Sequence, residues 1–121
     1  MSSEHKCKSL VISCIDYRFV TRIRDYLIIK GLQDSYDLIT IPGASLNLLK
    51  AKDTVATSFK LHDPSEVLIF DHEDCGAYGE DNSEKRHEDN LRMAQDLIQK
   101  MSSNIYIKTF IAGFEGVKEV S

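Results

Sequence analysis

The stretch SLVISCIDYRFV, residues 9–20, decides how the chain is read. Leu10, Val11 and Ile12 form a short apolar run rich in β-branched residues, the pattern of a strand buried on both faces. The predicted strand covers 8–14 and ends in Ser13 and Cys14, and Asp16 and Arg18 follow at once on alternate positions. An i, i+2 pair in an extended segment points both side chains the same way. A buried strand therefore leads directly to a thiol, a carboxylate and a guanidinium.

The same alternation continues outward. Val20, Ile23 and Leu27 recur at helical spacing, with Gly31 as a C-cap. YDLITI (36–41) reads as a second strand, stopped by Pro42 and Gly43. Residues 45–60 are expected to form a helix with Leu46, Leu49, Val55 and Phe59 apolar, and Asp63–Pro64 makes the next turn. EVLIF (66–70) is the third strand, and residues 71–82 are irregular. A long helix is predicted over 83–102, with Leu91, Ala94, Leu97, Ile98 and Met101 on one face. NIYIKTFIAG (104–113) is the fourth strand, and GVKEV (116–120) turns back as a short fifth. Strands alternating with helices imply βαβ units: one α/β domain over 1–121 with a mostly parallel sheet flanked by helices.

The 121 residues, 42% hydrophobic and 28% charged, suffice for one core. A net charge of −4 argues against nucleic acid as a partner. No apolar run approaches the ~20 residues that span a bilayer. MSSEHKCK at the start lacks the apolar core of a secretory signal, so the expected compartment is the cytoplasm. Three cysteines in such a chain point to metal binding or burial rather than disulfides. Cys7, among polar neighbours, reads as incidental.

Cys14 ends the first predicted strand, and DHEDCG (71–76) follows the third. In parallel sheets, ligands bind outside the carboxyl ends of strands where strand order reverses. If these two strands are neighbours, Cys14, His72 and Cys75 converge there. Two thiolates and an imidazole suit Zn²⁺, and three protein ligands leave a fourth position open, as in catalytic sites. Asp16 as a fourth ligand would instead close the site. Arg18 can hold Asp16 bidentately and keep it ionised. A carboxylate beside the metal could then orient zinc-bound water, whose pKa the metal lowers towards ~7.

Cys14-Ile15-Asp16-Tyr17-Arg18 resembles the CxDxR motif of the β-class carbonic anhydrases, and His72-Glu73-Asp74-Cys75-Gly76 resembles their HxxCG motif. ITIPGAS (39–45) and IAGFEGVKEV (111–120) resemble further segments of that family, so the resemblance covers nearly the whole chain. It implies Cys14, His72 and Cys75 as zinc ligands, Asp16 and Arg18 as the catalytic dyad, and Gly43, Ala44 and Gly76 near the metal leaving room for substrate. It implies reversible hydration of carbon dioxide to bicarbonate and a proton by zinc-bound hydroxide, and assembly as a homodimer or larger. Two rival readings use the same ligands: hydrolysis of carbonyl sulfide or carbon disulfide, and a non-catalytic zinc protein with a closed Cys-Asp-His-Cys site.

The chain departs from the family pattern in three places. Asp71 stands where many relatives have Gly, and it is expected either to bond the ligand imidazole or to face solvent. The segment near Pro42 lacks the family's common Arg-Asn, and the chain looks like a minimal form without the N-terminal helical arm. Among other residues, His62 is read as a surface histidine, with a proton shuttle as the alternative. His87 is read as part of a solvated helix start, and Tyr17 and Phe19 as packing or subunit contacts. The role of Tyr78 is left open.

Overall fold

The apolar run of the opening segment forms β1 (Ser9–Ser13), every residue of it buried. The structure, a computed structural model, describes residues 5–120, so the first half of the polar MSSEHKCK segment lies outside the described residues. β1, β2 (Tyr36–Thr40), β3 (Glu66–His72), β4 (Tyr106–Gly113) and β5 (Gly116–Val120) form one sheet in the order β2-β1-β3-β4-β5. The first four strands are parallel, and β5 returns antiparallel to β4 at the edge, as expected. Among the described residues, three α-helices flank the sheet: α1 (Tyr17–Ile29), α2 (Lys52–His62) and α3 (Glu84–Met101). Among the described residues, no helix is long and apolar enough to cross a membrane.

The order of strands explains the two cores. The chain leaves β1 towards one edge to make β2, then crosses back to β3 and on to β4. Right-handed crossovers in opposite directions place helices on opposite faces. On one face, Phe19, Ile23 and Leu27 of α1 pack with Val11, Leu68 and Phe70. On the other, Val55 of α2 and Leu91, Ala94 and Ile98 of α3 pack with Leu10, Ile12, Val67 and Ile69. Successive strand residues feed alternate cores, which is why the central strands read as continuous apolar runs.

Three details differ from the sequence reading. The apolar line of α1 is Phe19, Ile23 and Leu27, whereas Val20 is exposed; the four-residue spacing aligns these three, and the larger Phe ring takes the buried position. The helix expected over 45–60 is two pieces: a 3₁₀ segment, Ala44–Ala51, broken at Asn47, and then α2. Three residues per turn align Ser45, Leu48 and Ala51 inward, which turns Leu49 out to solvent. Finally, β3 runs two residues beyond 70 and carries Asp71 and His72 into the sheet, each 1% exposed. Gly31 does end α1 as read, with φ +79, while the Leu32 amide reaches back to the Leu27 carbonyl.

Truncation should respect this partition. Ile12→Ala, at a fully buried position, is expected to cost about 2–5 kcal/mol. Ile29→Ala, on the solvent face of α1, should stay within about 0.5 kcal/mol. Urea unfolding midpoints read both.

Candidate metal centre

Strand order reverses between β1 and β3, so their carboxyl ends form the switch point of the sheet. Cys14 follows β1 directly, and His72 is the last residue of β3. The chain then turns through Asp74, whose φ of +55 lies in the left-handed region, and Cys75 returns to the same spot. Cys14, His72 and Cys75 are all buried, with one ligand atom from each within 4.8 Å of the others. The two sulfurs are 3.9 Å apart.

The imidazole is oriented from both sides. His72 Nδ1 lies 2.7 Å from the Glu73 carbonyl oxygen, which can only accept, so Nδ1 carries the proton and Nε2 is the free ligand atom. Nε2 is buried and has no hydrogen-bond partner. An orphaned lone pair costs on the order of 1–3 kcal/mol, which coordination would relieve. The ring stacks on Phe19 with centroids 4.4 Å apart. The hydrogen bond between the two sulfurs, helped by the Gly43 amide, holds the Cys14 thiol far below its ordinary range. Cys75, as the donor, is pushed up. One thiolate is thus already favoured, and a metal would displace the remaining proton. The donor set, one orphaned imidazole nitrogen and two adjacent sulfurs, fits a borderline-soft divalent ion.

Asp16 and Arg18 do pair, but not as an extended i, i+2 couple. Asp16 is the N-cap of α1, and its Oδ1 accepts the Arg18 amide at 2.9 Å. The guanidinium donates Nε to Oδ1 at 3.1 Å and Nη2 to Oδ2 at 2.8 Å. Arg18 is itself held by the Asp74 carboxylate at 2.9 Å and the Asp74 carbonyl at 2.8 Å. Oδ2 of Asp16 lies 3.7 Å from His72 Nε2. The Arg18 hydrogen bonds hold the Asp16 carboxyl down at about 2. These groups open onto a cleft of about 650 Å³ walled also by Ile15, Tyr17, Pro42, Gly76 and Ala77. Gly76 faces this space. Gly43 does not line it; its amide donates to Cys14 Sγ at 3.3 Å, and its φ of +80, with Leu46 Cβ 2.9 Å from where a side chain would begin, requires glycine. Ala44 is wholly buried.

Asp71 takes neither role expected of it. The pleat turns it away from His72, to the opposite face of β3, where it is buried. Its Oδ1 accepts the Ser45 amide at 3.1 Å. Its Oδ2 accepts Ser45 Oγ at 2.8 Å and Tyr78 Oη at 2.6 Å, and lies 2.7 Å from His87 Nδ1. His87 is accordingly buried at 2% exposure rather than solvated. This network pins the Gly43–Ser45 loop that donates to Cys14, together with Tyr78 beyond Cys75. His87 was legible in principle, because it sits four residues before Leu91 on the inward stripe of α3; the charged run around it hid the period. Asn82, whose Oδ1 accepts the Cys75 amide at 2.8 Å, left no sequence signal, being a tertiary contact of a loop. His62 lies at the other edge of the sheet, paired with Asp37 at the start of β2.

Two outcomes follow. His87→Ala should lower unfolding free energy by about 2–4 kcal/mol, combining a cavity with a lost partner for a buried carboxylate. Asp16 has its folded value below the ordinary 3.8, so its contribution is complete above that value and is lost as pH falls towards about 2. An NMR titration should show Asp16 rising towards the ordinary carboxyl range in Arg18→Gln, with no such rise in the conservative control Lys85→Gln.

Comparison with known proteins agrees with this geometry. Two uncharacterized proteins, from Rickettsia conorii and Rickettsia bellii, are each 29% identical to this chain over 143 aligned positions. The alignments cover 98% of the chain and 77% and 87% of the respective relatives. The family model described as "Putative carbonic anhydrase" matches residues 4–121. With that match running through both the Cys14–Arg18 and His72–Gly76 segments, the chain belongs to this carbonic-anhydrase-like family.

Proposed function

We propose that this protein is a β-class carbonic anhydrase that uses Zn²⁺ on Cys14, His72 and Cys75 to interconvert carbon dioxide and water with bicarbonate and a proton. The observation that carries the proposal is one juxtaposition: a buried Cys-His-Cys set with an orphaned His72 Nε2, and an ionised carboxylate 3.7 Å from that nitrogen. When bound, the zinc supplies an electrophile that lowers the pKa of water towards neutrality.

The chain's own residues do the rest. Asp16, held ionised by Arg18, is acceptor-only. It therefore favours a nucleophile that carries a hydrogen, aims it, and disfavours a bare anion in that place. Arg18 fixes the carboxylate through two parallel hydrogen bonds, and Asp74 fixes Arg18. Ile15, Pro42 and Ala77 give the cleft an apolar wall suited to carbon dioxide, an uncharged and weakly solvated substrate. The product bicarbonate leaves by the same open cleft, and the proton passes to buffer. In a closed, non-catalytic site Asp16 would have to abandon Arg18; here both its oxygens are on the guanidinium, which favours the catalytic reading. A cytoplasmic homodimer is part of the proposal, and exposed Ile15 and Tyr17 at the cleft edge offer apolar surface for it.

Stopped-flow carbon dioxide hydration at pH 7 and 8.5, per mole of bound zinc, is the test. Turnover well above buffer is expected. Cys14→Ser should abolish it, and Asp16→Asn should lower it by about 10- to 100-fold with zinc retained. A zinc-loaded protein inactive at both pH values would exclude the assignment.

A further inference from the structure

The amino ends of the strands carry a second set of ligand-type side chains, at the edge opposite the Cys14 site. Cys7 precedes β1, Asp37 is the second residue of β2 and His62 is the last residue of α2. One ligand atom of each lies within 4.8 Å of the others, and all three residues are half-buried. Along the extended β1 segment, Cys7 is roughly 20 Å from Cys14. No group of the Cys14 site takes part.

We propose that Cys7, Asp37 and His62 form a second site for a borderline-soft divalent cation, with Zn²⁺ as the probe. A thiol, a carboxylate and an imidazole are each zinc ligands, and three of them leave one position for water. The site is built by main-chain bonds. The Cys7 amide donates to the His62 carbonyl at 2.9 Å, and the Lys8 amide to the Ser35 carbonyl at 2.8 Å. The Ser65 amide returns to the Lys8 carbonyl at 3.0 Å. The segments bearing the three ligands are thereby stitched together before any ion arrives.

The side chains are aimed inward to the same point. His62 Nδ1 lies 2.7 and 2.9 Å from the two Asp37 oxygens. Ser58 Oγ donates to Asp37 Oδ2 at 2.7 Å, the supporting bond that ligating carboxylates commonly receive. The Cys7 thiol donates to the Ser9 carbonyl at 3.4 Å and meets the backbone of Asp37. Ligand atoms on one tetrahedral ion sit about 3.3–3.7 Å apart, given bond lengths of 2.0–2.3 Å. Closing the set therefore takes about an ångström of side-chain movement: the ion replaces the proton between His62 and Asp37 and displaces that of Cys7. An Asp–His–Ser trio satisfies itself without a thiol; the thiol held in the same shell is what makes this a ligand set. Occupied, it would clamp the start of β1 to β2 and α2.

The proposal stands apart from the assignment of the Cys14 site, and the test separates them. The full chain is alkylated with iodoacetamide with and without Zn²⁺, and each cysteine is followed on its own peptide by mass spectrometry. Zinc content is measured in parallel. Zinc should slow modification of Cys7 by at least about tenfold, because a coordinated thiolate is a poor nucleophile. His62→Ala should abolish that protection and remove one zinc equivalent, while protection of Cys14 and Cys75 persists. Ser58→Ala, a milder change, should weaken zinc binding at Cys7 by about tenfold. Equal Cys7 modification with and without zinc, or protection that survives His62→Ala, overturns the proposal whatever happens at Cys14 and Cys75.

Discussion

The parallel pairing of β1 with β3, Ser13 opposite Phe70, is the constraint on which the rest depends. It puts Cys14 one residue beyond one strand and His72 two residues further along the other, at a single edge. Strand side chains alternate faces, so a slip of one residue would exchange Asp71 and His72 between the two faces of the sheet. The register is held by burial on both faces: Leu10 and Ile12 belong to one core and Val11 to the other. No slip keeps both. The Cys14–His72–Cys75 cluster is thus specified by the same hydrophobic packing that specifies the sheet.

That alternation also gives adjacent residues opposite tasks. His72 faces Phe19 of α1 and the two thiols. Asp71 faces α3 and the 3₁₀ segment, where it gathers Ser45, Tyr78 and His87. A buried carboxylate persists only when its lone pairs are used, and here they are used to position the loop whose Gly43 amide meets Cys14. Asp71 and His72 are therefore neighbours along the chain that serve opposite faces of the sheet, and Tyr78, packed against Cys14 and Cys75, links the two. Arg18 is similarly shared, joining the α1 cap at Asp16 to the ligand turn at Asp74.

Parts of this were legible in residue order, and parts were not. The strands and helices follow from periodicity, because apolar spacing of two or 3.6 is a local property. Val20 and Leu49 face solvent because a helix's inward line depends on where its cap sets it and on its turn: Asp16 starts α1, and a 3₁₀ turn aligns Ser45, Leu48 and Ala51. β3 runs two residues past its apolar stretch, and a polar residue such as Asp71 extends a buried strand only when partners elsewhere satisfy it. Those partners, Ser45, Tyr78 and His87, are 7 to 26 residues away in sequence.

The α/β class, the strand ends at which Cys14, His72 and Cys75 fall, and the nearness of Asp16 to Arg18 follow from residue order, because each is carried by short-range pattern. That β1 and β3 are neighbours, that Asp16 caps a helix while resting on Arg18, and that Asp71 and His87 are buried together emerge from the folded chain. It alone brought Cys7, Asp37 and His62 to one point at the far edge. These are contacts between segments that composition does not link. They arise when the two cores close, and burial then compels every polar group caught inside to find its partner.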